Sequence, residues 1–348
     1  MQKRLTGIFF LLFFASYCGF AQDVQFSQFY AAATYQNPAF VGSAHATRLT
    51  VHNRIQWPGI ASSTSSSALS RYTTSLASFD TYSSKYRSGF GVQFYRDWQA
   101  GSTLSTTQVG IQYAYELPIS PTFTFRPGLQ LDYVDRSVDY SKLRFPEDFN
   151  DQTGWNGTVV PGGPRKQFAD ISSGLLLYSE KIWGGVSFHH MNTPNQSLQG
   201  VGARSNLPML FDLTGGYKIY LKDKRYLAYL EKEKEVSLTP TFHYKAQGKS
   251  DQVDVGVYLL YDQLMAGAWY RGLPFKKYPG FRNNESLVAM VGWKYESISI
   301  GYSYDFTISK LQTVGTGGAH ELNVTYVHAK SKKYKPMKRL PCPSFYKN

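Results

Sequence analysis

From Ser297 to Thr307 the chain reads Ser-Ile-Ser-Ile-Gly-Tyr-Ser-Tyr-Asp-Phe-Thr, which puts Ile298, Ile300, Tyr302, Tyr304 and Phe306 on one face and small or polar residues on the other. Side chains of a β-strand alternate with period two, so a strand of this kind meets an apolar medium on one side and a polar one on the other. The same pattern recurs along most of the chain in segments of roughly ten residues, the length a tilted strand needs to cross a bilayer.

About fourteen segments alternate in this way between turn residues. The clearest are Phe90-Val92-Phe94, Val109-Ile111-Tyr113-Tyr115-Leu117, Phe123-Phe125-Pro127-Leu129-Leu131-Tyr133, Phe211-Leu213-Gly215-Tyr217-Ile219, Val236-Leu238-Pro240-Phe242-Tyr244, Val253-Val255-Val257-Leu259-Tyr261 and Leu322-Val324-Tyr326. The opposite face carries Gln108, Gln112, Glu116, Arg126, Gln130, Asp132, Asp212, Lys218, His243 and Lys245. A Lys or Arg turned to lipid at the midplane costs about 2–4 kcal/mol, and a lipid-facing surface imposes this segregation of charge. The expected fold is therefore all-β, a transmembrane up-and-down antiparallel barrel of about fourteen strands. A soluble sandwich would need its core between two sheets, and it does not account for so charge-free an apolar face.

Connection lengths support the same count, because bacterial barrels join strands by short turns on the periplasmic side and longer loops outside. Tight connections at Leu117–Pro121, Ser179–Lys181, Asp262 and Glu296 follow even-numbered strands, whereas the long ones, Asp139–Phe168, Met191–Met209, Gly272–Ser286 and Ser309–Gly318, follow odd-numbered strands. Lys222–Glu235 is the exception, a long charged connection on the side of the short turns. An even strand count places both chain ends in the periplasm.

Lys3 and Arg4, the apolar run Ile8–Phe14 and the small residues up to Ala21 read as a secretory signal peptide over residues 1–21. Tyr17 before Cys18 disfavours a lipoprotein signal. Beyond that leader no apolar stretch approaches the roughly 18 residues of a membrane helix, so spanning falls to strands. The expected organisation is a periplasmic N-terminal segment over 22–47, a barrel over 48–328 and a basic periplasmic tail over 329–348. Charged residues make up 18% and aromatics 16%, a balance that suits a chain surrounded by lipid. The formal charge of +13 is largely terminal: Lys330, Lys332, Lys333, Lys335, Lys338, Arg339 and Lys347 share the tail, which has no acidic residue. Such a tail suits anionic lipid, peptidoglycan or an acidic protein, or is a solvated end. Nucleic acid is not an expected partner of an exported chain, and Cys342 alone supports no disulfide.

Residues with catalytic or metal-binding chemistry do not assemble into a motif. Adjacent His189 and His190 on a strand point to opposite faces and read as structural. Serines and His52, His243 and His320 are present, but without a Gly-x-Ser-x-Gly elbow. Gly315–Gly318 precedes a strand and reads as an external loop. The inward face suits a hydrated or loop-filled lumen and has no one-sign charge ladder. No enzyme activity, cofactor or metal is expected; an outer-membrane channel or small-molecule transporter is the alternative to a binding role.

Particular residues are more specific. Gln25-Phe26-Ser27-Gln28-Phe29-Tyr30, Asn37-Pro38-Ala39-Phe40-Val41-Gly42, Asn53-Arg54-Ile55-Gln56-Trp57-Pro58-Gly59, Gly185 to Asn195, Tyr304 to Ser309 and Gly318-Ala319-His320-Glu321-Leu322 span nearly the whole chain. Together they resemble the PorP/SprF family of type IX secretion system membrane proteins of Bacteroidota. The resemblance implies a non-enzymatic outer-membrane barrel that works with type IX secretion and gliding motility. Its members either join the core apparatus through periplasmic components or deliver and retain large surface adhesins by their C-terminal domain; the second branch is slightly preferred. Loops on a rigid barrel carry recognition, which makes Trp57, Pro58, His189, His190, Pro194 and Asn195 the candidate partner-binding residues.

Overall fold

The computed structural model describes residues 23–59, 72–99, 103–140, 149–150, 154–155, 165–199, 202–221, 236–278, 281–310 and 315–328. The expected leader, the basic tail and the charged connection after Leu221 lie outside the described residues.

The barrel strands are β1 (Thr47–Gln56), β2 (Tyr72–Ser83), β3 (Ser88–Gln99), β4 (Leu104–Tyr115), β5 (Thr124–Val138), β6 (Arg165–Tyr178) and β7 (Ile182–His189). The second half comprises β8 (Leu210–Tyr217), β9 (Val236–Gln247), β10 (Ser250–Tyr261), β11 (Leu264–Tyr278), β12 (Phe281–Tyr295), β13 (Ile298–Thr307) and β14 (Ala319–His328). Each pairs antiparallel with its neighbours in chain order, and β14 returns to pair with β1 from Thr47↔His328 to Gln56↔Ala319. The result is a closed 14-strand barrel. Closure leaves no sheet edge within the bilayer, where an unpaired backbone group would cost several kcal/mol.

Alternation is visible in every wall. On β4, Val109, Ile111 and Tyr113 are exposed while Gln108, Gly110, Gln112 and Ala114 are buried. Leu129, Leu131 and Tyr133 on β5 and Leu322, Val324 and Tyr326 on β14 repeat the pattern. These outward side chains form the surface that lipid covers.

Short turns at residues 84–87, 179–181, 262–263 and 296–297 gather at one end, with the start of β1 and the end of β14. The long connections 57–71, 139–164, 190–209 and 308–318 gather at the other. One expected loop is not a loop: β11 and β12 continue through Gly272–Ser286 as a paired hairpin. Register shifts at Arg271/Gly272 and Leu273/Lys277 absorb Pro274 and the irregular backbone. Proline and glycine are tolerated in strands at such bulges.

Residues 23–46 do not form a separate periplasmic segment. They fill the barrel as a strap, with a turn of helix at Ala33–Gln36 and a 3-10 turn at Pro38–Phe40. Phe26, Phe29, Tyr30, Phe40 and Val41 are at most 6% exposed. Phe29, Tyr30 and Phe40 pack with inward-facing Tyr178, Trp183, Tyr258, Met265, Trp269, Val288 and Met290. The hydrophobic core thus sits inside the lumen, and the strap is internal because its aromatic side chains find this apolar lining there. Asp23 lies against Gln247 and His190 toward the loop end, while His45 meets Glu116 near the turn end. Asp23 and the end of β14 therefore lie at opposite ends of the barrel.

Candidate functional site

Buried charge holds the strap in two places. At the first, the Ser27 backbone N–H donates to Glu321 Oε2 at 2.6 Å and its hydroxyl donates to Asp305 Oδ2 at 2.6 Å. The Gln28 N–H donates to Glu321 Oε1 at 3.0 Å, and its side-chain amide reaches the Glu321 carbonyl and Ser303. Arg54 on β1 donates to Ser27 Oγ at 2.5 Å and to Asp305 at 2.8 Å. Arg271 on β11 joins Asp305 at 2.9 Å to Asp254 at 3.1 Å, and Gln25 reaches Asp254 from the strap. Charges this deep are tolerated only when paired and hydrogen-bonded, as these are.

At the second anchor, Arg126 on β5 donates to the carbonyls of Ala39 at 3.1 Å and Val41 at 2.5 Å and to Glu116 at 2.5 Å. The Gly42 N–H donates to Asp80 at 2.7 Å, and Asp80 also pairs with Arg48 at 2.6 Å. Asn37 joins the anchors: its oxygen caps the 3-10 turn at the Ala39 N–H, and its amide donates to the carbonyls of Leu175 and Val186. Two glycines make room for this approach. A Cβ on Gly128 would collide with the Ala39 backbone, and one on Gly89 with the Val41 carbonyl.

Near the loop end the strap's first described residues line a cavity of mixed character with Tyr35, Tyr95, Gln108, Asp170, Ser172 and His190. His190 lies one residue beyond β7 with φ +57°, which turns it inward beside His189 instead of to the opposite face. Its Nε2 meets Asp23 and its Nδ1 meets Asp170, each at 2.6 Å. Burial opposes the His190 charge, but Asp23 and Asp170 raise its pKa to about 10. Burial likewise raises the Asp23 carboxyl, and the charge and hydrogen bond of His190 together with Lys245 and His189 outweigh it, leaving a pKa of about 2. His189 Nε2 is 2.7 Å from the Gln36 carbonyl. Both histidines thus have partners on the strap, and among the described residues no group of three His, Cys, Asp or Glu is placed to hold a metal ion.

The remaining sequence-predicted residues separate from this cluster. Trp57, at φ +55°, stacks edge-on against Tyr72 and donates its backbone N–H to the Gly318 carbonyl at 2.8 Å, with Pro58 exposed beside it. Pro194 is buried, and Asn195 caps its own loop by accepting from Ser197 and Ser205 N–H groups and donating to the Ala203 carbonyl. Of the six, Trp57 and Pro58 present surface at the loop end, whereas His189 and His190 serve the interior. Sequence reasoning placed Glu116 and Arg126 on the inward face and Arg54, Asp305 and Glu321 in the resemblance segments, but it singled out none of these, nor Asp254 and Arg271, as site residues. Their signal was available as charges of both signs at inward-facing positions of different strands.

A closed lipid-facing barrel with its own N-terminal segment in the lumen is an outer-membrane β-barrel protein. More specifically, the chain belongs to the family described as Type IX secretion system membrane protein PorP/SprF, which matches residues 19–326. No curated protein matches the chain by sequence. Solved structures similar to it include Omp33 of Acinetobacter baumannii, with 8% identity, a TM-score of 0.44 and coverage of 82% of this chain and 98% of that one. The Ralstonia pickettii toluene transporter TbuX shows 12% identity, a TM-score of 0.43 and coverage of 85% and 92%. A Pseudomonas aeruginosa FadL homologue shows 13% identity, a TM-score of 0.41 and coverage of 85% and 94%. The segments that carry the family resemblance supply many of the strap's contacts: Ser27 and Gln28, Asn37, Arg54, His189 and His190, Asp305 and Glu321 all belong to them.

Proposed function

We propose that the protein is a non-catalytic, non-conducting scaffold of type IX secretion that works by binding other proteins. Its loop end takes the C-terminal domain of a secreted surface adhesin and its turn end faces the periplasmic machinery. The observation that carries this reading is the filled lumen. Strap residues Phe29, Tyr30 and Phe40 pack against Trp183, Tyr258, Trp269 and Met290, and buried ions tie the strap to both halves of the wall, Glu321 and Asp305 at Ser27 and Arg126 at Ala39 and Val41. A barrel whose interior is packed in this manner is suited to presenting rigid loops and unsuited to passing solutes. Trp57 and Pro58 at the loop end offer an aromatic and a rigid apolar contact for such a partner.

Affinity purification of the protein from its native membrane tests the reading. Recovery of a large secreted adhesin supports delivery or retention, and recovery of periplasmic secretion components supports a place in the core apparatus. Recovery of neither, with efficient extraction of the barrel itself, counts against both.

A further inference from the structure

The first strap anchor does not contact the wall at random. Around Ser27 and Gln28 its charged groups are Arg54 on β1, Asp305 on β13 and Glu321 on β14, with Arg271 and Asp254 extending it to β11 and β10, and Arg54 and Glu321 are register partners across the β14–β1 pairing that closes the barrel. The other strand pairs join neighbours in sequence, so the chain connects them directly. The β14–β1 pair joins the two ends of the barrel sequence and has no such connection, which makes it the pairing with the largest loop-closure cost.

Ser27 lies where those three strands meet. Its N–H and O–H bind Glu321 and Asp305, and its hydroxyl oxygen receives Arg54. Gln28 adds the Gly301 carbonyl and Ser303 on β13 and both the side chain and the backbone of Glu321. All of these groups are buried: Ser27, Gln28, Ser303 and Glu321 are 0% exposed. Without the strap, the Glu321 and Asp305 carboxylates keep Arg54, Arg271 and the nearby His52 but lose the three donors that Ser27 and Gln28 supply. Buried carboxylates left short of donors oppose closure of the strands that carry them.

We propose that residues 25–30 are a clasp for barrel closure: the Ser27–Gln28 donors bind Glu321 and Asp305 and thereby allow β14 to join β1. The strap is then part of how the barrel forms, beyond its occupation of the lumen. Because it precedes β1 by only residues 31–46, it is carried on the same strand that must find β14.

Cysteine crosslinking reads the seam directly. Val51 and Val324 are outward-facing register partners across β1–β14, and Phe94 and Val109 are outward-facing partners across β3–β4. In a Cys342→Ser background, the full chain with V51C and V324C, or with F94C and V109C, is oxidised in its native membrane and the crosslinked fraction is measured. Ser27→Asp places a third carboxylate against Glu321 and Asp305. The expected result is loss of the β1–β14 crosslink with the β3–β4 crosslink retained, and retention of both in Ser27→Thr, which keeps the hydroxyl. Retention of both crosslinks in Ser27→Asp overturns the proposal, because closure then needs no clasp. Loss of both overturns it as well, because the strap then supports the whole wall and not the seam.

Discussion

Arg126 on β5 and Glu116 on the turn after β4 form a buried pair at 2.5 Å, and the same guanidinium also donates to the carbonyls of Ala39 and Val41. One side chain therefore ties two wall segments and the strap together. Its loss leaves a carboxylate and two carbonyls short of donors in the interior.

Arg126→Leu is expected to destabilise the folded barrel by roughly 3–5 kcal/mol, the cost of breaking a buried pair from one side. The fall in the temperature at which the protein loses its folded, heat-modifiable band on SDS gels measures it. The double variant Arg126→Leu, Glu116→Leu is expected to recover part of the loss, since no lone charge then remains buried. Equal stability of wild type and Arg126→Leu would show that this anchor carries no weight.

The Asp23–His190 contact makes the strap's loop-end anchor depend on pH. His190 is raised from 6.5 to about 10, so its stabilisation is complete below pH 6.5 and is lost as pH rises through 10. Asp23 is lowered from 3.8 to about 2, so its part is present above pH 3.8 and is lost as pH falls through 2. The stability difference between wild type and His190→Asn is expected to be largest between these limits, near pH 5, and to shrink progressively above pH 6.5. A difference that stays constant to pH 10 or grows with pH contradicts the pairing.

Glycine at 128 is required by contact with the strap, because any Cβ there meets the Ala39 backbone. Gly128→Val is expected to lift the 3-10 turn off the wall and expose the strap to protease in detergent, at a cost of roughly 1–3 kcal/mol for overpacking. Limited proteolysis with N-terminal sequencing checks this. A strap cut no faster in Gly128→Val than in wild type contradicts the assigned contact.

On the outer face, Ile111 is 60% exposed at the middle of β4. Ile111→Arg is expected to cost about 2–4 kcal/mol of folding free energy in a bilayer. Inward-facing Gln112 is buried between Gln130 and the Thr34 carbonyl, so Gln112→Arg would be excluded by packing instead. Urea unfolding in vesicles and in detergent separates the two, since only the Ile111 penalty depends on lipid thickness.

The wall was legible in the sequence because its signal is local. Leu129, Leu131 and Tyr133, or Val253, Val255 and Val257, declare an outward face within a few residues of one another, and lipid enforces the pattern along the whole chain. The strap was not legible, since Phe26, Phe29 and Tyr30 follow no strand period and their partners, Leu76 for Phe26 and Tyr258, Trp269 and Met290 for the other two, lie far away in sequence. Inward Trp183, Trp269 and Met290 carry the missing clue: large apolar side chains at positions that an aqueous lumen would fill with polar ones. His190 escaped for a different reason. Period-two reasoning assigns it the face opposite His189, and only its positive φ beyond the end of β7 turns it inward. The Gly272–Ser286 stretch reads as a loop from its prolines and charges, whereas a bulge keeps it in the sheet.

Planar-bilayer recording of the purified full-length protein bears on everything above. A barrel filled by residues 23–46 should insert without giving a stable open conductance, and Gly128→Val, which unseats the strap, should give transient openings. A large, steady conductance from the wild-type protein would mean that water and ions occupy the lumen in place of the strap, and the scaffold reading would fall with it.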